Sequence, residues 1–222
     1  AECTHHRSRD YTRMMVCDST DRGRTFSPKR PLTEPLRGDP RSDPFWDCPR
    51  VVCLADGRLA AITNRVAGQP GGGRGRTEQS NWLQFSDDEG HTWTDRQPTP
   101  VEGIVPDRLV ELTGGRWVLA AHTSQEADGE PCWQVRCWLS DDAGARWRGP
   151  VTIAADPGLQ LCEPSVFEVP GGALVCLLRE NSRRGLDAFK CVSRDGGESW
   201  TAPVPFPLPG CHRPVAGVLA SG

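Results

Sequence analysis

A chain of 222 residues is long enough for one sizeable domain, and its charge is close to balance, with 26 Lys and Arg against 29 Asp and Glu and a net charge of −3. That balance argues against nucleic acid as a partner, which would want a basic stripe, and no run of 18 apolar residues predicts a membrane-spanning helix. The 24 glycines and 20 prolines make up about a fifth of the chain, the proportion expected of many short strands joined by turns.

In chain order, the first stretch, AECTHHRSRDY, is polar and has neither the shape of a signal peptide nor an initiator Met, so an upstream segment is expected to have been removed or not included. An extended run then leads to STDRGRTF at 19–26, the first and loosest copy of a box, Ser-x-Asp-x-Gly-x-x-aromatic. The better copies are SDDEGHTW at 86–93, SDDAGARW at 140–147 and SRDGGESW at 193–200. Their aspartates, Asp21, Asp88, Asp142 and Asp195, stand 67, 54 and 53 residues apart.

Between boxes a second unit recurs: CPRVVCLADGRLAAI, VPDRLVELTGGRWVLAA, EPSVFEVPGGALVCLL and, last, HRPVAGVLASG. Its prolines are Pro49, Pro106, Pro164 and Pro214, and each complete copy carries two extended runs around a Gly-containing turn, the pattern of a β-hairpin. A third run precedes each later box (NWLQFS, WQVRCWLS, DAFKCVS), and a fourth follows it (RGPVTI, TAPVPF). Four antiparallel strands repeating about every 50 residues predict the blade of a β-propeller. A β-sandwich is the competing all-β architecture, and it does not account for so regular a repeat.

The expected divisions of this one propeller domain are a partial blade at 1–32, whole blades at 47–100, 104–154 and 161–207, and the start of another at 211–222. Propellers have roughly 4–8 blades, so the chain reads as part of a larger ring; a small ring closed by its C-terminal strand is the alternative. Open blade edges would favour self-association. The ten cysteines lack metal-ligand spacing and lie mostly in strand-like runs, which predicts buried thiols, with disulfides as the competing reading.

The box has a structural role in this reading. Between strands three and four, its Asp can accept backbone N–H groups, its Gly can take a positive φ, and its aromatic (Phe26, Trp93, Trp147, Trp200) can pack back on the blade. The structural set is therefore Asp21, Gly23, Asp88, Gly90, Trp93, Asp142, Gly144, Trp147, Asp195, Gly197 and Trp200. Up-and-down connectivity puts the boxes and hairpin turns on one side of the disc. Strand-one starts, strand-two ends and two–three loops occupy the other.

That other side collects Asp47, Arg50, Asp107, Arg108, Glu163 and Arg213 at strand-one starts, and Asn64, His122, Arg179 and Glu180 at strand-two ends, with Arg7 and Asp10 in a loop. Its arginines suit a carboxylate or phosphate ligand through paired N–H donors. Glu163 and Arg179 border strongly apolar strands, where a charge is costly unless paired or used. No cofactor or metal is called for. Neither nucleic acid nor a membrane is an expected partner.

LCEPSVFEVPGGALVCLLREN (161–181), followed by SRDGGESW, resembles a segment of the sialidase (neuraminidase) superfamily, whose members are six-bladed Asp-box propellers. The resemblance implies an exo-α-sialidase-like glycoside hydrolase acting on a sialylated or other acidic glycan, in which Glu163 activates a tyrosine nucleophile and Arg179 is one of three arginines holding the substrate carboxylate. HHRSRDYTRMMVCDSTDRG similarly resembles the region of the acid/base Asp, which maps to Asp10 with Arg7 or Arg9 as a companion arginine. Arg50, Arg108 and Arg213 complete the candidate binding set. The Phe/Tyr-Arg-Ile-Pro motif of the family is absent and is expected before Ala1, and the tyrosine and last arginine are expected after Gly222. Tyr11, the one tyrosine, does not match the nucleophile, so this chain alone is expected to be inactive. Two readings compete: a non-catalytic Asp-box propeller that binds glycans or proteins, and a hydrolase or lyase for another acidic sugar.

Overall fold

The computed structural model describes residues 2–3, 11–39, 43–68, 76–105, 107–127 and 130–219, and their regular structure is strand throughout. Two compact units, 1–99 and 100–222, make up the chain. The first begins with short strands β1 (Glu2–Cys3), β2 (Tyr11–Arg13), β3 (Met15–Val16), β4 (Arg30–Pro31) and β5 (Leu36–Arg37), arranged as a β1-β2-β5 sheet and a β3-β4 ribbon. A four-stranded sheet follows: β6 (Phe45–Cys53), β7 (Leu59–Gly68), β8 (Arg76–Ser86) and β9 (Gln97–Glu102), whose last residues cross the unit boundary.

The second unit holds two more such sheets. One is β10 (Val110–Glu111), β11 (Trp117–Ala127), β12 (Glu130–Ser140) and β13 (Arg148–Ala154); the other is β14 (Leu161–Glu168), β15 (Leu174–Glu180), β16 (Ala188–Ser193) and β17 (Val204–Phe206). Each sheet keeps its strands in chain order, which only tight up-and-down connections allow. These are the three whole blades. Their first hairpins close alike, with Gly57, Gly115 and Gly172 donating their N–H to the carbonyls of Leu54, Leu112 and Val169 at 3.0, 2.7 and 3.0 Å.

The core of the second unit is the seam between its sheets. Val118, Val135, Cys137 and Leu139 on one side meet Val166, Leu174, Cys176, Leu178 and Phe189 on the other. Each such aliphatic side chain contributes about 1.5–3 kcal/mol on burial. Cys137, Cys162, Cys176 and Cys191 are buried here as expected. Cys53, in the apolar run VVCLA, is instead exposed, as is Val51 two residues before it, while Leu54 beyond the strand is buried. Alternation along β6 carries these two side chains to an uncovered face. The nine cysteines from Cys17 to Cys211 are all unbridged thiols.

All four boxes adopt one geometry. Ser19, Ser86, Ser140 and Ser193 donate Oγ–H to Asp21, Asp88, Asp142 and Asp195 at 2.8, 2.8, 3.0 and 2.7 Å. The same serine oxygens accept the N–H of Gly23, Gly90, Gly144 and Gly197. Each Asp also accepts the N–H four residues on, at 2.8–3.0 Å. Gly90 turns the chain at φ 86°, with Glu89 before it at 59°, and a side chain on the second of two left-handed residues would be strained. Hydrogen bonds led by those from Thr25, Thr92 and Ser199 hold the Asp21, Asp88 and Asp195 carboxyls down to about 2.

Trp93 and Trp200 fold back to donate their indole N–H to Gly90 and Gly197 at 3.0 and 3.2 Å, and Trp147 is half-buried in the equivalent place. Phe26 departs from this pattern and is 63% exposed. Lacking an N–H, it cannot make the bond that Trp93 and Trp200 make. Between the two blades of the second unit, Arg116 and Arg148 both bridge Asp141 to Glu198, and Arg116 also donates to the carbonyl of Gly196 at 3.1 Å.

Candidate functional site

The site begins with a proline. Pro164 has no N–H to give to the β14–β15 ladder, so the pairing must break around it. Cys162 lies opposite Arg179 and Ser165 opposite Leu177, which leaves Glu163 and Pro164 together facing Leu178 in a β-bulge. Glu163 takes φ 50°, in the left-handed region that costs an L-residue roughly 1–2 kcal/mol. Strain of this kind persists only where the surroundings fix it, and it clusters at functional sites.

The bulge brings the Glu163 carboxylate to Arg179, the penultimate residue of β15. Arg179 Nη1 donates to both carboxylate oxygens at 3.1 Å, and the two side chains are 19% and 20% exposed. The charges that looked costly beside apolar strands are therefore paired, yet remain open to solvent. At the other end of β15, Leu174 pairs with Ser193 of the box. Five residues at about 3.3 Å each put some 17 Å between box and ion pair.

Two groups close round the pair. His122, 8% exposed near the middle of β11, accepts the main-chain N–H of Glu163 on Nδ1 at 3.3 Å, and its ring stacks on Trp133 with centroids 6.3 Å apart. The Trp133 indole N–H is buried without a hydrogen-bond partner among the described residues. Burial, then the Glu163 carboxylate, pushes the Cys211 thiol up, against a smaller opposing pull from Arg179.

The other expected residues are placed differently. Arg108 donates to the carbonyl of Ala216 at 2.8 Å and lies 3.5 Å from Asp107. Buried Asp107 accepts from Ser165 Oγ at 2.6 Å, and that oxygen accepts the Ala216 N–H at 3.1 Å. Arg108 thus helps to pin residues 212–219, which form no strand, beside β14. Glu180 accepts the N–H groups of Gln160 and Ser182 and organises its own loop. Arg213 is exposed at φ 64°. Arg50, in the first unit, donates to the carbonyl of Pro49. Asp10 and Arg7 lie outside the described residues.

Neither the His122 contact nor the indole of Trp133 was foreseen as part of the site; His122 was expected at a strand-two end, and β11 runs five residues beyond it, so it lies mid-strand. Among the described residues no group of three or more His, Cys, Asp and Glu side chains could hold a metal ion.

Comparison with known proteins agrees with this architecture. No curated protein matches the sequence. Among solved structures, a protein of unknown function from Dyadobacter fermentans is 22% identical with a TM-score of 0.68, over 92% of this chain and 61% of its own. A Hadza microbial sialidase is 22% identical with a TM-score of 0.65, over 88% and 41%. The NanB sialidase of Streptococcus pneumoniae is 12% identical with a TM-score of 0.65, over 92% and 48%. The chain therefore spans between 41% and 61% of these three structures, which share its fold. The model of the BNR repeat-like domain matches residues 47–221, and with its boxes and blades in agreement the chain belongs to that family.

Proposed function

We propose that the whole protein is an exo-sialidase-like glycoside hydrolase and that this chain carries part of its catalytic propeller. The observation that supports it best is the Glu163–Arg179 pair, held on a strained bulge at the strand ends away from the boxes. A sialoside carries a carboxylate next to its anomeric carbon, which disfavours the cationic transition state. Arg179 would bind that carboxylate, neutralising and orienting it as part of an arginine cluster. Glu163, freed from its present partner by the substrate anion, would take the proton of a tyrosine nucleophile; a neutral nucleophile avoids the repulsion an anionic one would meet, and sialidases stand outside the usual two-carboxylate scheme for that reason. Asp10 would protonate the leaving oxygen.

The test is release of fluorophore from a fluorogenic sialoside by the complete gene product. Glu163→Gln and Arg179→Ala are each expected to lower turnover by at least about 100-fold. Full activity in both variants would remove the assignment. A second reading, a glycan-binding propeller without catalysis, draws on the same pair: Glu163 and Arg179 satisfy each other, as two structural charges would. Glycan binding without hydrolysis of sialosides or uronides would favour it.

A further inference from the structure

Glu163 can face Arg179 only because its backbone is held in an unfavourable conformation, and the residues that hold it form a continuous chain of contacts. At the bulge the Glu163 N–H is left without a place in the β14–β15 ladder, and a buried donor left unpaired is costly. It is taken up by Nδ1 of His122 from the neighbouring blade of the same unit. An imidazole nitrogen accepts only when it carries no proton, so His122 must be neutral with its hydrogen on Nε2.

The ring is in turn fixed from two sides. Its face lies against Trp133, and its main chain is locked by a reciprocal bridge in which His122 N donates to Ile104 O at 3.0 Å and Ile104 N donates to His122 O at 2.9 Å. That bridge is possible because Gly103 precedes it. Gly103 sits at φ 95°, and a β-carbon there would stand 2.4 Å from the His122 carbonyl oxygen.

We infer that His122 is a positioning residue for Glu163: Nδ1 takes the amide that the bulge releases and so stabilises the left-handed backbone that aims the carboxylate at Arg179. The role depends on the proposed hydrolase reading only where turnover is concerned; the geometric part stands apart from it. Two substitutions separate the acceptor from the ring. His122→Phe keeps an aromatic against Trp133 and removes the acceptor. His122→Asn gives up the ring and places an amide oxygen near the position of Nδ1.

The first measurement is hydrogen exchange at the Glu163 amide, followed by NMR in the 222-residue chain. Protection retained in wild type and His122→Asn, and reduced about tenfold or more in His122→Phe, is the expected result. Unchanged protection in His122→Phe overturns the inference whatever the activity. The second is turnover of the complete gene product on the fluorogenic sialoside. There His122→Phe should lower kcat about tenfold with little change in KM, and His122→Asn should restore most of it. Lost protection with an unchanged kcat would also overturn the positioning role. If the wild-type gene product hydrolyses no sialoside, the hydrolase reading falls, and the exchange measurement alone decides the contact.

Discussion

Replacing Gly103 by Ala tests the start of this relay through stability. Its ideal β-carbon would lie 2.4 Å from the carbonyl oxygen of His122 and 2.9 Å from Thr123 Cγ2, where ordinary contacts begin at 3.4 Å. Main chain cannot rotate out of the way as a long side chain can, so the Gly103 and His122 segments must separate by about 1 Å. Separation on that scale breaks both hydrogen bonds of the Ile104–His122 bridge, at about 1 kcal/mol each. Holding Ala at φ 95° adds roughly 1–2 kcal/mol. The expected loss is about 3–4 kcal/mol, a large part of the 5–15 kcal/mol that a typical domain has. Urea unfolding, followed by tryptophan fluorescence, would read it as a lower midpoint with an unchanged slope. A loss below about 1 kcal/mol would show that the bridge tolerates the β-carbon and refute the reasoning.

Two further outcomes follow from the boxes and the thiols. Asp21, Asp88 and Asp195 are held at about 2 in the folded chain against an ordinary 3.8, so the stability they contribute is complete above about pH 4 and lost as pH falls toward 2. Melting temperatures taken from pH 5 to pH 2 should fall across that window, and the fall should be shallower in Asp88→Asn; identical slopes in the two proteins would contradict the assignment. Burial pushes the thiols of Cys137, Cys162 and Cys191 up to about 12, and that of Cys176 well above its ordinary value, while Cys17 and Cys53 are exposed. Iodoacetamide at pH 8 followed by peptide mapping should therefore label Cys17 and Cys53 and spare the four buried thiols until the chain is unfolded. Rapid native labelling of Cys176 would show that the seam between the blades is open.

The blades could be read in advance because their signals are local. A box needs only Ser, Asp and Gly at fixed spacing to close its own hydrogen bonds, and a hairpin needs only its turn between two extended runs. Phe26 marks the limit of that reading: spacing supplies an aromatic, but this one has no indole N–H to bond the box glycine and is exposed. Cys53 marks another, since an apolar run says nothing about which face a neighbouring sheet will cover. Within the site, Glu163 and Arg179 stood out because charge beside apolar strands has to be answered, and each answers the other. The acceptor on His122, 41 residues from Glu163, depends on how two blades meet, and no pattern within either blade contains it. Arg108 was expected among the binding arginines, but Ala216 and Asp107 claim its donors, a contact between distant segments that no local pattern contains.

The bulge before proline has a consequence for how such a domain can change its chemistry. Cys48 before Pro49 takes φ 45°, Glu163 before Pro164 takes 50°, and Arg213 before Pro214 takes 64°. Cys48 and Pro49 face Thr63 alone, the same two-against-one step that sets Glu163 and Pro164 against Leu178. One backbone socket thus recurs in two blades and presents a thiol in one and a carboxylate in the other, while Arg213, outside any strand, shares only the dihedral. The proline and its bulge define the socket, and the residue before it is left to vary. The side chain presented there can therefore be exchanged at one codon, with the bulge that carries it left in place.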